Sequence, residues 1–163
     1  MSARLRQFAG SIRMRVRKNI ESAGDGTRSF PARKLGTQDD DFMRILVADD
    51  NAAVRRGVLD ILARDRNYEV CGEAKDGADA IQKAKDLIPD LVLLDVSMPG
   101  LNGLEVARHL CQEIPGTAIV ILSQHDPGVL LPRAREMGAR ACVDKSRLGT
   151  DLLRTIASLG KIS

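Results

Sequence analysis

Tryptophan is absent from this sequence, and Phe8, Phe30, Phe42 and Tyr68 are its only aromatic residues beyond histidine. A chain so poor in rings must build its core from aliphatic side chains and offers no stacking platform for nucleobases. No run approaches the roughly 18 apolar residues of a membrane-spanning helix. The N-terminus also lacks the apolar stretch of a secretory signal. Cys71, Cys111 and Cys142 lie far apart without a CxxC pair. That pattern excludes a disulfide framework and a zinc cluster and points to a reducing cytoplasm. Each cysteine is expected as a small buried hydrophobe.

What is present fits one domain: 163 residues, 44% apolar and 29% charged. The net charge of +3 conceals a division. Residues 1–38 carry nine Lys/Arg against Glu21 and Asp25, whereas residues 39–163 carry sixteen against twenty Asp/Glu. A basic head thus joins a mildly acidic body, and only the head invites a polyanion or membrane. Leu5, Phe8, Ala9, Ile12, Val16 and Ile20 share one side of a helical wheel whose remainder holds Arg4, Arg6, Arg13, Arg17 and Lys18. Such a segment suits an anionic membrane or a partner groove. Two other readings stand beside it: nucleic-acid contact, and a dispensable extension, since Met43 sits where the body begins. The glycine-containing stretch between about Gly24 and Asp41 reads as a linker. The expected division is therefore 1–42 as basic extension and linker and 43–163 as the folded domain.

From Met43 onward, short aliphatic runs alternate with helical patterns. "RILVA", "YEVCGEA", "LVLL", "TAIVIL" and "RACV" read as five strands. Between them, Val54, Val58, Ile61 and Leu62 mark one helix, Ile81, Ala84 and Ile88 a second, and Leu104, Ala107, Leu110, Cys111 and Ile114 a third. A weaker helix precedes Gly138, with Pro132 expected in its first turn or at a kink. Thr150 is expected to cap a last helix carrying Leu152, Leu153, Ile156 and Leu159. Five βα units with strands apolar on both faces predict an α/β fold, a doubly wound parallel sheet.

In such a sheet ligands bind beyond the carboxyl ends of the strands. Asp49 and Asp50 follow the first strand, Asp95 the third, Ser123 the fourth and Lys145 the fifth. A DD pair after a strand is commonly a helix cap, and a single lysine or serine says little. Their joint placement is sharper. Clustered carboxylates repel one another unless a cation offsets them, and hard oxygen ligands suit Mg²⁺. Metal, ammonium and hydroxyl together suit phosphoryl transfer, with Asp95 as a carboxylate nucleophile. That nucleophile needs no general base, so neither His109 nor His125 is required.

"ILVADD", "EAKDGADAI", "PDLVLLDVSMPGLNGLEVARHL", "IVILSQHD" and "GARACVDKS" occur in an order and spacing that resemble the receiver domain of two-component response regulators. The wording is similar to receivers that usually precede a helix-turn-helix output domain, although here a stand-alone receiver is expected. The resemblance implies a flavodoxin-like sheet of order 2-1-3-4-5 that accepts a phosphoryl group from a histidine kinase or phosphotransfer protein. By the same resemblance Asp95 is the phosphoacceptor, and Asp50 binds Mg²⁺ directly. Asp49 binds the ion chiefly through water, and the Ser97 backbone carbonyl is a further ligand. Ser123 supplies the hydroxyl that meets the phosphoryl oxygen, and Lys145 pairs with acceptor and phosphate. Pro99 and Gly103 fit the turn after the acceptor. Such a protein signals by contact with a downstream protein, with homodimerisation compatible and direct DNA binding not expected. It catalyses only its own phosphorylation and dephosphorylation, so no separate enzyme activity is expected.

The chain departs from the family pattern in three respects. Cys142 stands where an aromatic residue usually precedes the lysine by three positions. Pro127, Gly128 and Pro132 are expected to shorten or loosen the fourth helix. Gln124 replaces the small residue common after Ser123. Cys142 and the two prolines motivate an alternative, a receiver-like interaction module whose output is independent of phosphorylation. A metal-dependent aspartyl phosphatase is the enzymatic alternative, but its nucleophile would normally follow the first strand.

Overall fold

The computed structural model describes residues 42–160. The basic head with its amphipathic pattern and linker falls outside the described residues. Five strands carry the fold: β1 (Met43–Ala48), β2 (Tyr68–Ala74), β3 (Leu91–Asp95), β4 (Ala118–Ser123) and β5 (Ala141–Asp144). All pair in parallel, in the order β2-β1-β3-β4-β5. The helices between and after them are α1 (Ala52–Leu62), α2 (Gly77–Leu87), α3 (Gly103–Glu113), α4 (Pro127–Glu136) and α5 (Leu148–Ser158). A 3₁₀ turn, Lys145–Arg147, leads into α5.

Strand alternation divides the core into two halves. Ile45, Val47, Leu91, Leu93, Val120 and Leu122 pack with Val58, Ile61 and Leu62 of α1 and with Leu152 and Ile156 of α5. Leu46, Ala48, Val92, Leu94, Ile119 and Ile121 pack on the other face with residues of α2, α3 and α4. Because helices cover both faces, the central strands are buried along their whole length, which their unbroken apolar runs already require.

Helix starts follow local chemistry. Asn51, Asp76, Asn102 and Asp126 each accept backbone N–H bonds as N-caps, and Asn102 with Glu105 forms a capping box. Thr150 does not cap the last helix. The 3₁₀ turn brings α5 in earlier, at Leu148, and the Thr150 hydroxyl donates to the Arg147 carbonyl.

The proline-bearing helix is also intact. Pro127 occupies its first turn, where no N–H is needed, while Pro132 sits in the second turn of a ten-residue α4. The cost is local, since Gly128 loses the donor that a residue other than proline would supply. Ile88 is not part of the buried face of α2. It is the left-handed C-cap of that helix, at φ 45°, and is half exposed. Of the cysteines only Cys71 is buried; Cys111 is exposed and Cys142 partly so. Cys111 departs from expectation because its site on α3 looks outward beside Gly138, where glycine leaves room for its sulfur.

Candidate phosphoacceptor site

Alternation along the strands decides which charged groups meet. Asp49 continues the parity of Ile45 and Val47, and Asp95 that of Leu91 and Leu93, so both carboxylates fall on the α1/α5 side of the rim. Lys145 lies two residues past Val143, which packs into the same half. These groups converge. Lys145 Nζ lies 2.7 Å from Asp49 Oδ2 and 2.9 Å from Asp95 Oδ1. Both carboxylates are almost wholly buried, and the ammonium is nearly so.

Each acid is held by its own backbone as well. Asp95 Oδ1 accepts the Ser97 N–H at 3.1 Å, and Asp49 Oδ1 accepts the Asn51 N–H at 2.8 Å. The Asp49 N–H donates to the Ala74 carbonyl, and its own carbonyl accepts Arg55 Nη1 at 2.7 Å. Burial raises the proton affinity of Asp95, and neighbouring Asp49 adds to the rise. Lys145 and the Ser97 N–H act in the opposite direction without cancelling it. Burial also works against the Lys145 ammonium, but the two carboxylates outweigh it and hold its pKa above the ordinary lysine value.

Asp50, exposed at the rim, completes a trio with Asp49 and Asp95 whose ligand oxygens all lie within 4.8 Å of one another. Three carboxylates against one ammonium leave local negative charge uncompensated. Asp49 Oδ2 is buried and lacks an aligned hydrogen-bond donor, its contact with Lys145 being a close ion pair. A hard divalent cation fits this donor set, because it would supply the missing positive charge at carboxylate oxygens.

Ser123 ends the strand next to that of Asp95. It is fully buried at the end of β4, beyond Leu122, which pairs with Asp95. Its parity is that of Ile119 and Ile121, toward the α2–α4 face, and its Oγ accepts the His125 N–H at 2.9 Å. Cys142 packs against that same half of the core. Ser97 is exposed just after the acceptor. Gln124 and Lys145 share a cavity of about 440 Å³ with Val54, Asp144, Ser146 and Leu148. Arg55, which no motif singled out, is the structure's addition. Its signal in the sequence was its place one turn into the helix after the acid pair, opposite Glu73 near the end of β2.

A 2-1-3-4-5 parallel sheet with helices on both faces and an acidic trio at its carboxyl rim defines a flavodoxin-like domain with a rim binding site. More closely, the chain belongs to the response regulator receiver domain family, whose model matches residues 45–157. It is 34% identical over 113 residues to the transcriptional regulatory protein YhcZ of Bacillus subtilis, covering 69% of this chain and 53% of that one. A protein-glutamate methylesterase/protein-glutamine glutaminase of Pyrococcus abyssi is 41% identical over 98 residues, which is 60% of this chain and 27% of that protein. Among solved structures, the signal receiver domain of the response regulator NarL from Mycobacterium tuberculosis superposes with a TM-score of 0.68 at 31% identity, covering 73% of this chain and 96% of that one. The chain thus spans about half the length of the regulators it matches. Relatives named as transcriptional regulators do not support the expectation that DNA contact plays no part. Among the described residues no helix is long and apolar enough to cross a membrane.

Proposed function

We propose that residues 43–163 form a phosphoacceptor receiver, that Asp95 takes the phosphoryl group from a histidine kinase or phosphotransfer protein, and that the product signals by protein contact. The observation that carries this reading is the buried Asp95 carboxylate, ion-paired to Lys145 and flanked by Asp49 and Asp50. An Asp95 carboxylate oxygen attacks phosphorus in line. The P–O bond of an acyl phosphate forms as the donor's P–N bond breaks, and the leaving imidazole retains the electron pair and takes a proton from water. Lys145 keeps Asp95 ionised and then faces the added negative charge. Asp49, Asp50, Asp95 and the Ser97 carbonyl are the groups that would hold Mg²⁺, which when bound neutralises charge on the transferred oxygens. The Ser123 oxygen accepts the His125 N–H and keeps its own proton to donate to a phosphoryl oxygen. A cytoplasmic setting follows, because that is where histidine kinases keep their phosphodonor.

Acetyl phosphate with Mg²⁺, followed by intact-mass measurement, tests the chemistry. The expected result is one added phosphoryl group on the wild type and none on Asp95→Ala. Equal labelling of the two proteins refutes the assignment of Asp95.

The second reading, an interaction module with phosphate-independent output, draws on Cys142. This side chain packs beside α4 where an aromatic ring would sweep a larger area. Labelled and unlabelled protein binding the same partner with equal affinity would favour it.

A further inference from the structure

We infer that Arg55 is a positioning residue for the metal site, acting through the peptide that joins Asp49 to Asp50. This inference rests on the Mg²⁺ reading above.

Asp50 is exposed and has no side-chain partner of its own among the described residues, so its placement falls to the backbone. That backbone is fixed on both sides of Asp49. Upstream, the Asp49 N–H donates to the Ala74 carbonyl at 3.1 Å. Downstream, Arg55 Nη1 donates at 2.7 Å to the Asp49 carbonyl, which belongs to the peptide leading into Asp50. Rotation of that peptide would swing the Asp50 carboxylate away from Asp49 and Asp95.

Arg55 is itself anchored. Its Nε donates to Glu73 Oε2 at 3.1 Å, and the two side chains are about four-fifths buried. The strand end carrying Glu73 is tied in turn to α2, because Lys83 Nζ donates at 2.6 Å to the Glu73 carbonyl. A planar fork donating in two directions can lock a carbonyl and a carboxylate together, which an ammonium cannot do with the same rigidity. Glu73 also offsets the guanidinium charge, so a cation can sit beside the acid trio without meeting an unscreened positive neighbour.

Charge and geometry predict opposite signs, and that makes the idea testable. Deleting a cation near a metal site should tighten Mg²⁺ binding if only Coulomb's law operates. Deleting a group that positions a ligand should weaken it, roughly 10-fold for a lost outer partner. The experiment is calorimetric titration of the full chain with MgCl₂ for wild type, Arg55→Ala, Arg55→Lys and Arg56→Ala, with far-UV circular dichroism to confirm folding. Arg56 is the exposed neighbour and serves as the charge control. Arg55→Ala is expected to raise the Mg²⁺ dissociation constant roughly 10-fold. Arg55→Lys should raise it less, and Arg56→Ala should leave it unchanged or slightly tighter.

An Arg55→Ala protein that binds Mg²⁺ as tightly as wild type, or more tightly, overturns the inference while leaving the metal site standing. If Arg55→Ala does not fold, Arg55→Lys decides, and wild-type affinity there overturns it equally. A wild-type chain that takes up no Mg²⁺ removes the metal reading and this inference together.

Discussion

Adding a single methyl group at Gly103 is the most local way to disturb the acceptor's backbone. A Cβ at that position would lie 2.1 Å from the Asp95 carbonyl oxygen and 2.8 Å from both the Asp95 carbonyl carbon and Val96 Cα. These are backbone atoms, so no change of rotamer relieves the clash. The Gly103 N–H also donates to the Val96 carbonyl at 3.0 Å, which ties the start of α3 to the segment that must yield. Restoring ordinary van der Waals separation requires the end of β3 or the start of α3 to move by about 1 Å. Overpacking of this kind costs roughly 1–3 kcal/mol. The better helix propensity of alanine returns less than about 1 kcal/mol, because Gly103 is the first residue of its helix.

Gly103→Ala is therefore expected to lower stability by about 1–2 kcal/mol in urea denaturation, net of these opposing effects. The same shift of the acceptor should slow labelling by acetyl phosphate roughly 100-fold, the usual consequence of a 1 Å misplacement. Gly57→Ala is the matched control. It lies on α1, exposed, with nothing within 4 Å of the added carbon, and should gain about 0.5–1 kcal/mol. If both variants stabilise the protein alike, or if Gly103→Ala is labelled at the wild-type rate, the close approach of α3 to the acceptor is not what the geometry says.

Three further outcomes follow from the burial of the charged groups. Asp95 has a folded pKa above its ordinary value of 3.8, first because of burial and then because of Asp49, so its proton is bound more tightly in the folded state. Stability should accordingly fall as pH rises from 3.8 through the folded value; Asp95→Asn should remove that slope and unfold at higher urea at pH 7, and a lower midpoint there would contradict the sign. Lys145→Met leaves two buried carboxylates without their ammonium, which should cost roughly 3 kcal/mol in the absence of divalent cation, with added Mg²⁺ restoring part of it. A loss below about 1 kcal/mol would mean that the ion pairs are solvated rather than buried. Native alkylation with iodoacetamide at pH 8 should modify exposed Cys111 first, since burial pushes the Cys71 and Cys142 thiols up to about 11; peptide mapping that finds Cys142 modified fastest would show its side chain to be solvent-open.

The fold was legible because each strand is short, aliphatic and followed by its own helical pattern. "YEVCGEA" became β2 residue for residue; β1 and β3 each gain one residue at one end, and β4 and β5 each run one residue later than "TAIVIL" and "RACV". What was not legible came from tertiary context acting on termini. Thr150 has the chemistry of a cap, but the 3₁₀ turn Lys145–Arg147 starts α5 three residues earlier than a Thr150 cap would and leaves its hydroxyl to the Arg147 carbonyl. Pro132 has the chemistry of a breaker, yet α4 runs through it, because the residue is charged one missing hydrogen bond while the flanking residues still pack. Ile88 continued the apolar period of α2, but Pro89 cannot extend that helix and Ile88 is its left-handed C-cap.

At the site, sequence identified the participants, and strand parity sorted them. Period-two alternation carries Asp49, Asp95 and Lys145 to the side of the rim covered by α1 and α5, and they form a buried ion-paired group there. The same alternation sends Ser123 and Cys142 toward the α2–α4 side, where the Ser123 oxygen accepts the His125 N–H. Rim position alone could not reveal this, because Asp49, Asp95, Ser123 and Lys145 all sit at or just past strand ends. Counting odd and even positions could have. The Asp95 carboxylate therefore lies on the α1/α5 side, beside Lys145. Charge added to it is met from the α1/α5 side by Lys145, already in place, while the Ser123 oxygen is held by the His125 N–H with its own proton left to donate. A shift of the Ser123 oxygen would be passed through the His125 N–H to the loop that starts α4 at Asp126.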